Sequence, residues 1–293
     1  MASRPGIREL LARLKYDPTL PAGRLRLEIL QRGAEGDREL IEIGPEELQL
    51  GPAAFSTPSH PVVPYHRVLA IAYGELSWRR GMAAEAPALS VRDLAEALPA
   101  GSRALLRRLG VSLDPRAERQ LSRYLDLLAV WSRAHNLVSR QLDASARAER
   151  VVESLAGLPL MGCRPLRLLD VGSGAGLPGL ILAAACPALD VLLVEPRLKR
   201  AAFLRAALGE LAMASARVAE ARLEQLEPWR ADVLTFRGLD WRPLARSAAR
   251  QLHRGGLLLA YEASRARPDA PKGWRSVGRL EEQSLAVTAF ERI

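Results

Sequence analysis

The chemistry-bearing residues of this chain concentrate in one stretch, Leu168-Leu-Asp-Val-Gly-Ser-Gly-Ala-Gly-Leu-Pro-Gly179. An apolar run that reads as a buried strand ends at Val171, and Gly172, Gly174 and Gly176 follow at alternate positions. Glycine is needed where backbone takes positive φ or approaches a ligand closely. Asp170, Gly172, Gly174, Gly176 and Leu177 are therefore candidates to line a small-molecule site. Backbone amides at the turn, with a helix start behind them, favour a negatively charged ligand group. Pro178 falls near the first helical position, where a missing N–H costs little. A second strand-like run ends at Glu195, 23 residues after Gly172, which sets a carboxylate on the neighbouring strand. There it can accept the protons of both ribose hydroxyls.

Two classes of nucleoside cofactor fit such a loop. Gly174-Ala-Gly-Leu-Pro-Gly179 matches G-x-G-x-x-G, the dinucleotide fingerprint, literally. In that fingerprint the first glycine directly follows the strand, and the glycine in that place here is Gly172. Counted from Gly172 the pattern is G-x-G-x-G, with Asp170 inside the strand. Acid-x-G-x-G-x-G is the opening expected of S-adenosylmethionine enzymes. S-adenosylmethionine is the favoured cofactor; a nicotinamide or flavin dinucleotide and a purely structural loop are the alternatives.

The elements that must hold this loop follow from periodicity. Arg167–Val171, Val191–Glu195, Asp232–Phe236 and Gly256–Tyr261 read as strands, and Gly179–Ala185 and Arg197–Leu211 as helices. Such alternation implies right-handed crossovers and a parallel sheet, with ligands at the carboxyl ends of its strands. Ahead of it, from Pro115, Leu121, Tyr124, Leu125, Leu128 and Trp131 recur at three- and four-residue steps and form one apolar stripe. Residues 1–80 differ: a helix over Ile7–Leu14, then short strands at Arg24–Leu30, Glu39–Ile43 and Arg67–Tyr73 between turn clusters. The expected fold is α/β, a Rossmann-like class I methyltransferase domain with an N-terminal helical extension, preceded by a small α+β domain. The expected domains are 1–80 and 104–293, joined by an Ala/Pro/Gly-rich linker over 81–103.

Composition narrows the partners. The net charge is +9, and 39 of the 42 basic residues are arginine. The arginine skew fits codon bias as well as function, but the excess over acids favours a polyanion such as RNA. Cys163 and Cys186 lie far apart in sequence and form no CxxC, so neither zinc nor a disulfide framework is indicated, and a reducing cytoplasm is the expected compartment. His60, His135 and His253 show no metal-ligand spacing, and no metal is expected. The most apolar stretch, Leu177 to Val194, is broken by Pro178, Pro187 and Asp190, so no membrane partner is expected.

Residues 90–290 resemble the small-subunit ribosomal RNA guanine-N7 methyltransferases, the glucose-inhibited division protein B family. Tyr124-Leu-Asp-Leu-Leu-Ala-Val-Trp-Ser-Arg-Ala-His-Asn-Leu137 resembles the family's Y-x-x-L-L-x-W-N-x-x-x-N-L helix, and Arg150-Val-Val-Glu-Ser-Leu155 its R-H-x-x-D-S-L. Asp170–Gly179 matches D-V-G-S-G-x-G-x-P-G, and Leu198-Lys-Arg-Ala-Ala-Phe-Leu204 matches K-R-x-x-F-L. Arg222-Leu-Glu224 resembles R-x-E, and Arg237 falls at the arginine of S-R-A. The resemblance implies methyl transfer from S-adenosylmethionine to ribosomal RNA. Asp170 and the glycine loop would hold the methionine half, Glu195 the ribose, and the backbone at Leu223 and Glu224 the adenine. Arg237 would orient the acceptor or its phosphate, and Asn136 would cap or line the pocket. Val151, Phe236, Glu262 and Ser132 depart from the family's histidine, serine, lysine and asparagine, so acceptor-side residues are changed while donor-side ones are kept. These departures leave two alternatives open: an RNA-binding adaptor that no longer transfers methyl groups, and repair-linked methylation of RNA ends.

Residues 5–80 resemble a second family, the RNA cyclic-group end-recognition domain associated with RNA repair. The matching pieces are Leu30-Gln-Arg-Gly-Ala-Glu-Gly-Asp37, Val63-Pro-Tyr-His-Arg-Val68 and Leu76-Ser-Trp-Arg79. By implication the domain binds an RNA end carrying a 2′,3′-cyclic phosphate. Arg32 and Arg67 can fork onto phosphate oxygens, His66 can donate to phosphate, and Tyr65 or Trp78 can stack on a terminal base. A structural histidine and a core tryptophan are the competing readings of His66 and Trp78.

Overall fold

A computed structural model describes residues 6–31, 37–74, 76–80, 100–135, 137, 143–164, 166–240, 242–262, 269–282 and 285–293. Arg32, Asn136 and most of the expected linker over 81–103 lie outside the described residues. The chain divides into two compact units, residues 1–90 and 91–293.

Among its described residues the first unit carries α1 (Ile7–Tyr16) and seven short strands. These are β1 (Leu25–Leu30), β2 (Arg38–Ile43), β3 (Gln49–Leu50), β4 (Ala54–Ser56), β5 (Val63–Pro64), β6 (Val68–Tyr73) and β7 (Leu76–Arg79). An antiparallel sheet of order β2-β1-β6-β7 is joined by a small β3-β4-β5 sheet. Strand side chains alternate between faces. Leu25, Leu27 and Ile29 of β1, with Ile41, Ile43 and Ile71 from its neighbours, are accordingly buried. Leu11 of α1 closes this core.

In the second unit four helices come first: α2 (Ala100–Arg108), α3 (Pro115–His135), α4 (Ala144–Ser154) and α5 (Leu158–Met161). Proline opens α3, where its fixed φ suits the first turn. The Asp114 carboxylate accepts the Ala117 N–H at 2.7 Å, and Asp143 caps α4 by accepting from Ala146 at 2.8 Å. The apolar stripe of α3 buries Leu121, Tyr124, Leu128 and Trp131. Alternation then begins: β8 (Leu166–Val171), α6 (Gly179–Ala185), β9 (Leu189–Val194), α7 (Leu198–Glu210), β10 (Ala216–Ala219), β11 (Ala231–Arg237), α8 (Ala245–Gln251), β12 (Leu252–Glu262), β13 (Trp274–Glu281) and β14 (Ala286–Arg292). The sheet order is β10-β9-β8-β11-β12-β14-β13. The first five strands of this order run parallel, and β14 is antiparallel to both its neighbours. The chain leaves β8 toward β9 and β10, then returns to β8's other side with β11. A crevice for ligand lies at such a reversal, outside the carboxyl ends of the strands.

The structure corrects two expectations. The short strands β3, β4, β5 and β7 of the first unit and β10, β13 and β14 of the second are not legible from periodicity; β10 is short, and β13 alternates weakly because most of it faces solvent. The cysteines are not free thiols: Cys163 and Cys186 form a disulfide with Cα atoms 5.6 Å apart. Cys163 precedes β8 and Cys186 ends α6, which runs back along that strand. One strand–helix unit thus brings together residues 23 positions apart, a proximity that sequence distance conceals.

Candidate active site

The glycine loop sits where the topology requires it, at the carboxyl end of β8 beside β11. Gly172, Gly174 and Gly176 have φ values of 70°, 56° and 89°, conformations that side-chain-bearing residues rarely adopt. At Gly176 a Cβ would also come within 2.9 Å of Leu180. The amides of Gly172, Ser173, Gly174, Gly176 and Leu177, however, are turned inward. Gly172 and Ser173 donate to the Val194 carbonyl at 2.8 and 3.1 Å. Gly176 and Leu177 donate to Ser173 at 2.6 and 3.3 Å. Gly174 donates to Glu195 Oε2 at 2.9 Å. These donors are committed to the protein, which overturns the expectation that they would greet an anion. A dinucleotide needs such amides free for its pyrophosphate. A ligand without phosphate does not.

Asp170 lies behind the loop, 1% exposed. Its Oδ1 accepts from the Thr235 hydroxyl at 2.7 Å and its Oδ2 from the Gly179 N–H at 3.2 Å. Burial pushes its pKa up to about 6 against the lowering pull of Thr235, Ser173 and Gly179, with Glu195 adding to the rise. Gly179 must lack a side chain because a Cβ there would sit 2.5 Å from the Asp170 Cβ. That explains the last glycine of the loop sequence, a role the sequence did not reveal. Asp170 is thus a brace joining β8, β11 and the start of α6.

Glu195 is 2% exposed, its Oε2 holding Gly174 and its Oε1 accepting the Arg197 N–H at 2.9 Å. Two carboxylate oxygens offer about four lone-pair sites in all, so acceptor capacity remains beyond these two bonds. Leu177 is half-buried at the loop's end, while Leu223 is buried and Glu224 exposed in a short turn after β10. These residues could hold an adenosyl group by its hydroxyls and its ring.

Across the crevice, Arg237 ends β11, and its guanidinium is already occupied. It donates to the Arg150 carbonyl and the Ser154 hydroxyl, both at 2.9 Å, and pairs with the Glu153 carboxylate. The two charged side chains are 13% and 6% exposed. Burial lowers the arginine's pKa and Glu153 opposes that. Tyr261 of β12 makes a parallel stitch, its hydroxyl donating to the Ser154 carbonyl at 2.8 Å. Glu153, Ser154 and Tyr261 were not singled out from sequence. Two separately matched fragments, Arg150–Leu155 and Arg237, are one ion-paired unit in space.

The departures from the family sort by face. Arg237 points to α4 and Thr235, on the same strand face, to Asp170, so Phe236 between them points the other way and is 1% exposed in the core. Val151 is fully buried. Both fill core rather than pocket. Ser132 keeps a buried hydroxyl without a partner among the described residues, as does one carboxylate oxygen of Glu262 at the end of β12. Burial raises the Glu262 pKa.

In the first unit Tyr65, His66 and Arg67 form one short turn after β5. Tyr65 is anchored, its hydroxyl donating to the Gly51 carbonyl at 2.8 Å and its ring 5.9 Å from Phe55. His66 is exposed, and Arg67 is half-buried. Trp78 pairs in register with Ile71 and packs against this unit's core. Among the described residues no cluster of His, Cys, Asp or Glu could hold a metal ion, and no helix is long and apolar enough to cross a membrane.

A seven-stranded sheet of this order, with a glycine loop at its reversal and a carboxylate ending the next strand, defines a Rossmann-like class I methyltransferase that uses S-adenosylmethionine. Residues 117–292 match the family model described as GidB, rRNA small subunit methyltransferase G, and the chain belongs to that family. Ribosomal RNA small subunit methyltransferase G of Stenotrophomonas maltophilia (strain K279a) is 37% identical over 198 residues, 64% of this chain and 92% of the relative. Its counterpart in Xanthomonas campestris pv. campestris (strain B100) is 40% identical over 169 residues, 56% and 79% of the two chains. Among solved structures, a methyltransferase from Aquifex aeolicus has a TM-score of 0.41 at 15% identity, over 48% of this chain and 89% of its own.

Proposed function

We propose that this chain transfers a methyl group from S-adenosylmethionine to RNA, with ring nitrogen 7 of a guanine in ribosomal RNA as the acceptor. The observation that carries the reading is the inward-turned glycine loop with Glu195 beside it, a site built for a nucleoside without phosphate. The +9 charge and the ribosomal RNA methyltransferases among its relatives support RNA as the partner.

When bound, S-adenosylmethionine supplies an electrophilic methyl group on a sulfonium. Glu195 accepts the ribose hydroxyls with the lone pairs that Gly174 and Arg197 leave open. Asp170 acts from behind, fixing the loop against β11 and α6 so that Gly172, Gly174, Gly176 and Leu177 shape the methionine pocket. The backbone at Leu223 and Glu224 borders the adenine. Ring nitrogen 7 of guanine has a free lone pair and no proton, so the site needs no general base. Rate then comes from holding the reacting atoms in line at ~3–3.5 Å. Arg237, pinned by Glu153 and Ser154, fixes α4 against the carboxyl end of β11, where the acceptor enters. In the first unit, the turn carrying His66 and Arg67, with Arg32, binds an RNA end bearing a 2′,3′-cyclic phosphate.

The test is transfer of a radiolabelled methyl group to intact small ribosomal subunits and, separately, to nicked RNAs ending in a cyclic phosphate or a hydroxyl. Label on ribosomal RNA at guanine nitrogen 7 is the expected result. Label that depends on the cyclic end would replace the ribosomal acceptor with a broken RNA. No label on any RNA would overturn the catalytic reading. Arg67→Ala should weaken binding of the cyclic-phosphate end more than of the hydroxyl end; equal losses would leave only general phosphate contact.

A further inference from the structure

The glycine loop raises a question of its own: what keeps it in one conformation? Glycines lose the most conformational freedom on ordering, and residues 172–176 contain three, all at positive φ. Most of the loop's bonds are local, running to Asp170, Ser173, Val194 and Glu195 within the strand–loop–strand unit itself. The Leu180 N–H at the start of α6 adds a bond to the Gly176 carbonyl at 3.0 Å, and among the described residues one bond to the loop comes from outside the continuous β8–α6–β9 segment. The hydroxyl of Tyr124, on α3, donates to the Ala175 carbonyl at 2.6 Å. Ala175 lies between Gly174 and Gly176, at the middle of the loop.

Tyr124 is fully buried. Its ring is held by Phe203 of α7 at 6.2 Å, and Phe203 is in turn packed edge-on against Trp131 at 5.4 Å. Burial raises the phenol's pKa well above its ordinary value, so it stays a neutral donor at every working pH. Apolar packing alone would be met by phenylalanine. The hydroxyl earns no burial energy, and its one partner is the loop.

We propose that Tyr124 is a positioning residue for the methyl donor: α3, through this hydroxyl, fixes Ala175 and so holds the glycine loop in its ligand-ready shape. The inference rests on the reading of the glycine loop as the donor site. It gives the helical extension a part in donor binding, separate from any part in holding RNA.

The experiment is calorimetric titration of the full-length protein with S-adenosylhomocysteine, comparing wild type, Tyr124→Phe and Tyr73→Phe. Tyr73 is a matched control, a buried tyrosine of the first unit whose hydroxyl donates to the Pro21 carbonyl at 2.7 Å. Tyr124→Phe should bind about tenfold more weakly, the loss of one neutral hydrogen bond that leaves a carbonyl orphaned. It should raise the KM for the donor far more than it lowers kcat, and Tyr73→Phe should do neither. Unchanged affinity in a folded Tyr124→Phe protein overturns the proposal. Failure of wild type itself to bind would instead overturn the donor-site reading. Should Tyr124→Phe not fold, 3-fluorotyrosine-labelled wild type serves. Its Tyr124 fluorine resonance, assigned by elimination with Tyr16, Tyr65, Tyr73 and Tyr261 each changed to Phe, should shift on adding S-adenosylhomocysteine. A resonance that does not move overturns the proposal.

Discussion

The two sides of the crevice are built on different principles. On the donor side, at β8 and β9, the carboxylates of Asp170 and Glu195 hold backbone N–H groups. On the acceptor side, at β11 and β12, a side-chain charge holds another side-chain charge, Arg237 against Glu153, with Ser154 completing the contact. Backbone amides are present whatever the sequence, so donor geometry depends on few side-chain identities. A pair of buried charges depends on both partners at once. The difference matches the pattern of change: the loop from Asp170 to Gly179 follows its family, while neighbours of the acceptor residues depart from it.

The sharpest way to break this contrast is Glu153→Gln. Removing one partner of a buried pair leaves the other uncompensated, and such changes cost about 3–5 kcal/mol. Glu153 and Arg237 are both well below one-third exposed, so solvent gives little relief. Urea denaturation should show a loss of that size, while S-adenosylhomocysteine binding measured at low temperature stays within about twofold of wild type. A loss below about 1 kcal/mol would mean the pair behaves like a surface bridge. A large drop in donor affinity would show that the two sides are not separate.

How much of this was legible beforehand follows the same division. The glycine loop, its strand, α6 and Glu195 announce themselves because backbone geometry restricts residue type over a short stretch. The bracing of Asp170 by Thr235 was not legible, since 65 residues separate them and only the pairing of β8 with β11 makes them neighbours. Glu153 lies within the Arg150–Leu155 motif, but its partner Arg237 is 84 positions away in another motif, and nothing in either motif alone shows the pairing. The disulfide was misjudged because separation along the chain was taken for separation in space. In the first unit Tyr65 and Trp78 show the reverse problem. Their types suggested stacking on RNA, and the structure gives each a packing role that the same types serve equally well.

Asp170→Asn sharpens the donor side. Burial holds Asp170 at about 6, whereas an unfolded aspartate titrates near 3.9. Between roughly pH 4 and 6 the folded protein keeps a proton that the unfolded chain has released, so this group makes stability fall as pH rises through that window. Above it the accumulated loss is about 3 kcal/mol. Asparagine fits the same bonds, accepting from Gly179 and donating to Thr235, without a buried charge. The variant should therefore exceed wild type in urea midpoint at pH 7.5 and lose the advantage near pH 4. An advantage that does not shrink with acid would remove the buried charge as its cause.

The finest distinction concerns which donor-side carboxylate touches ligand. Asp170 is committed to Thr235 and Gly179 behind the loop, whereas Glu195 stands beside it with lone pairs to spare. Hydrogen bonds to a charged acceptor contribute about 1.5–3 kcal/mol each. Glu195→Ala should thus weaken S-adenosylhomocysteine binding about 10- to 100-fold and leave RNA affinity unchanged, because the residue is buried away from any surface a polyanion could reach. Glu195→Gln separates the two duties of the side chain. Its single carbonyl oxygen can keep Gly174 or meet a ribose hydroxyl, and its amide can only donate. If the alanine variant binds as wild type does, the ribose assignment is lost and the carboxylate serves only to hold Gly174 and Arg197. If glutamine costs as much as alanine, what the site uses is the second acceptor oxygen, and the ligand's paired hydroxyls are what it recognises.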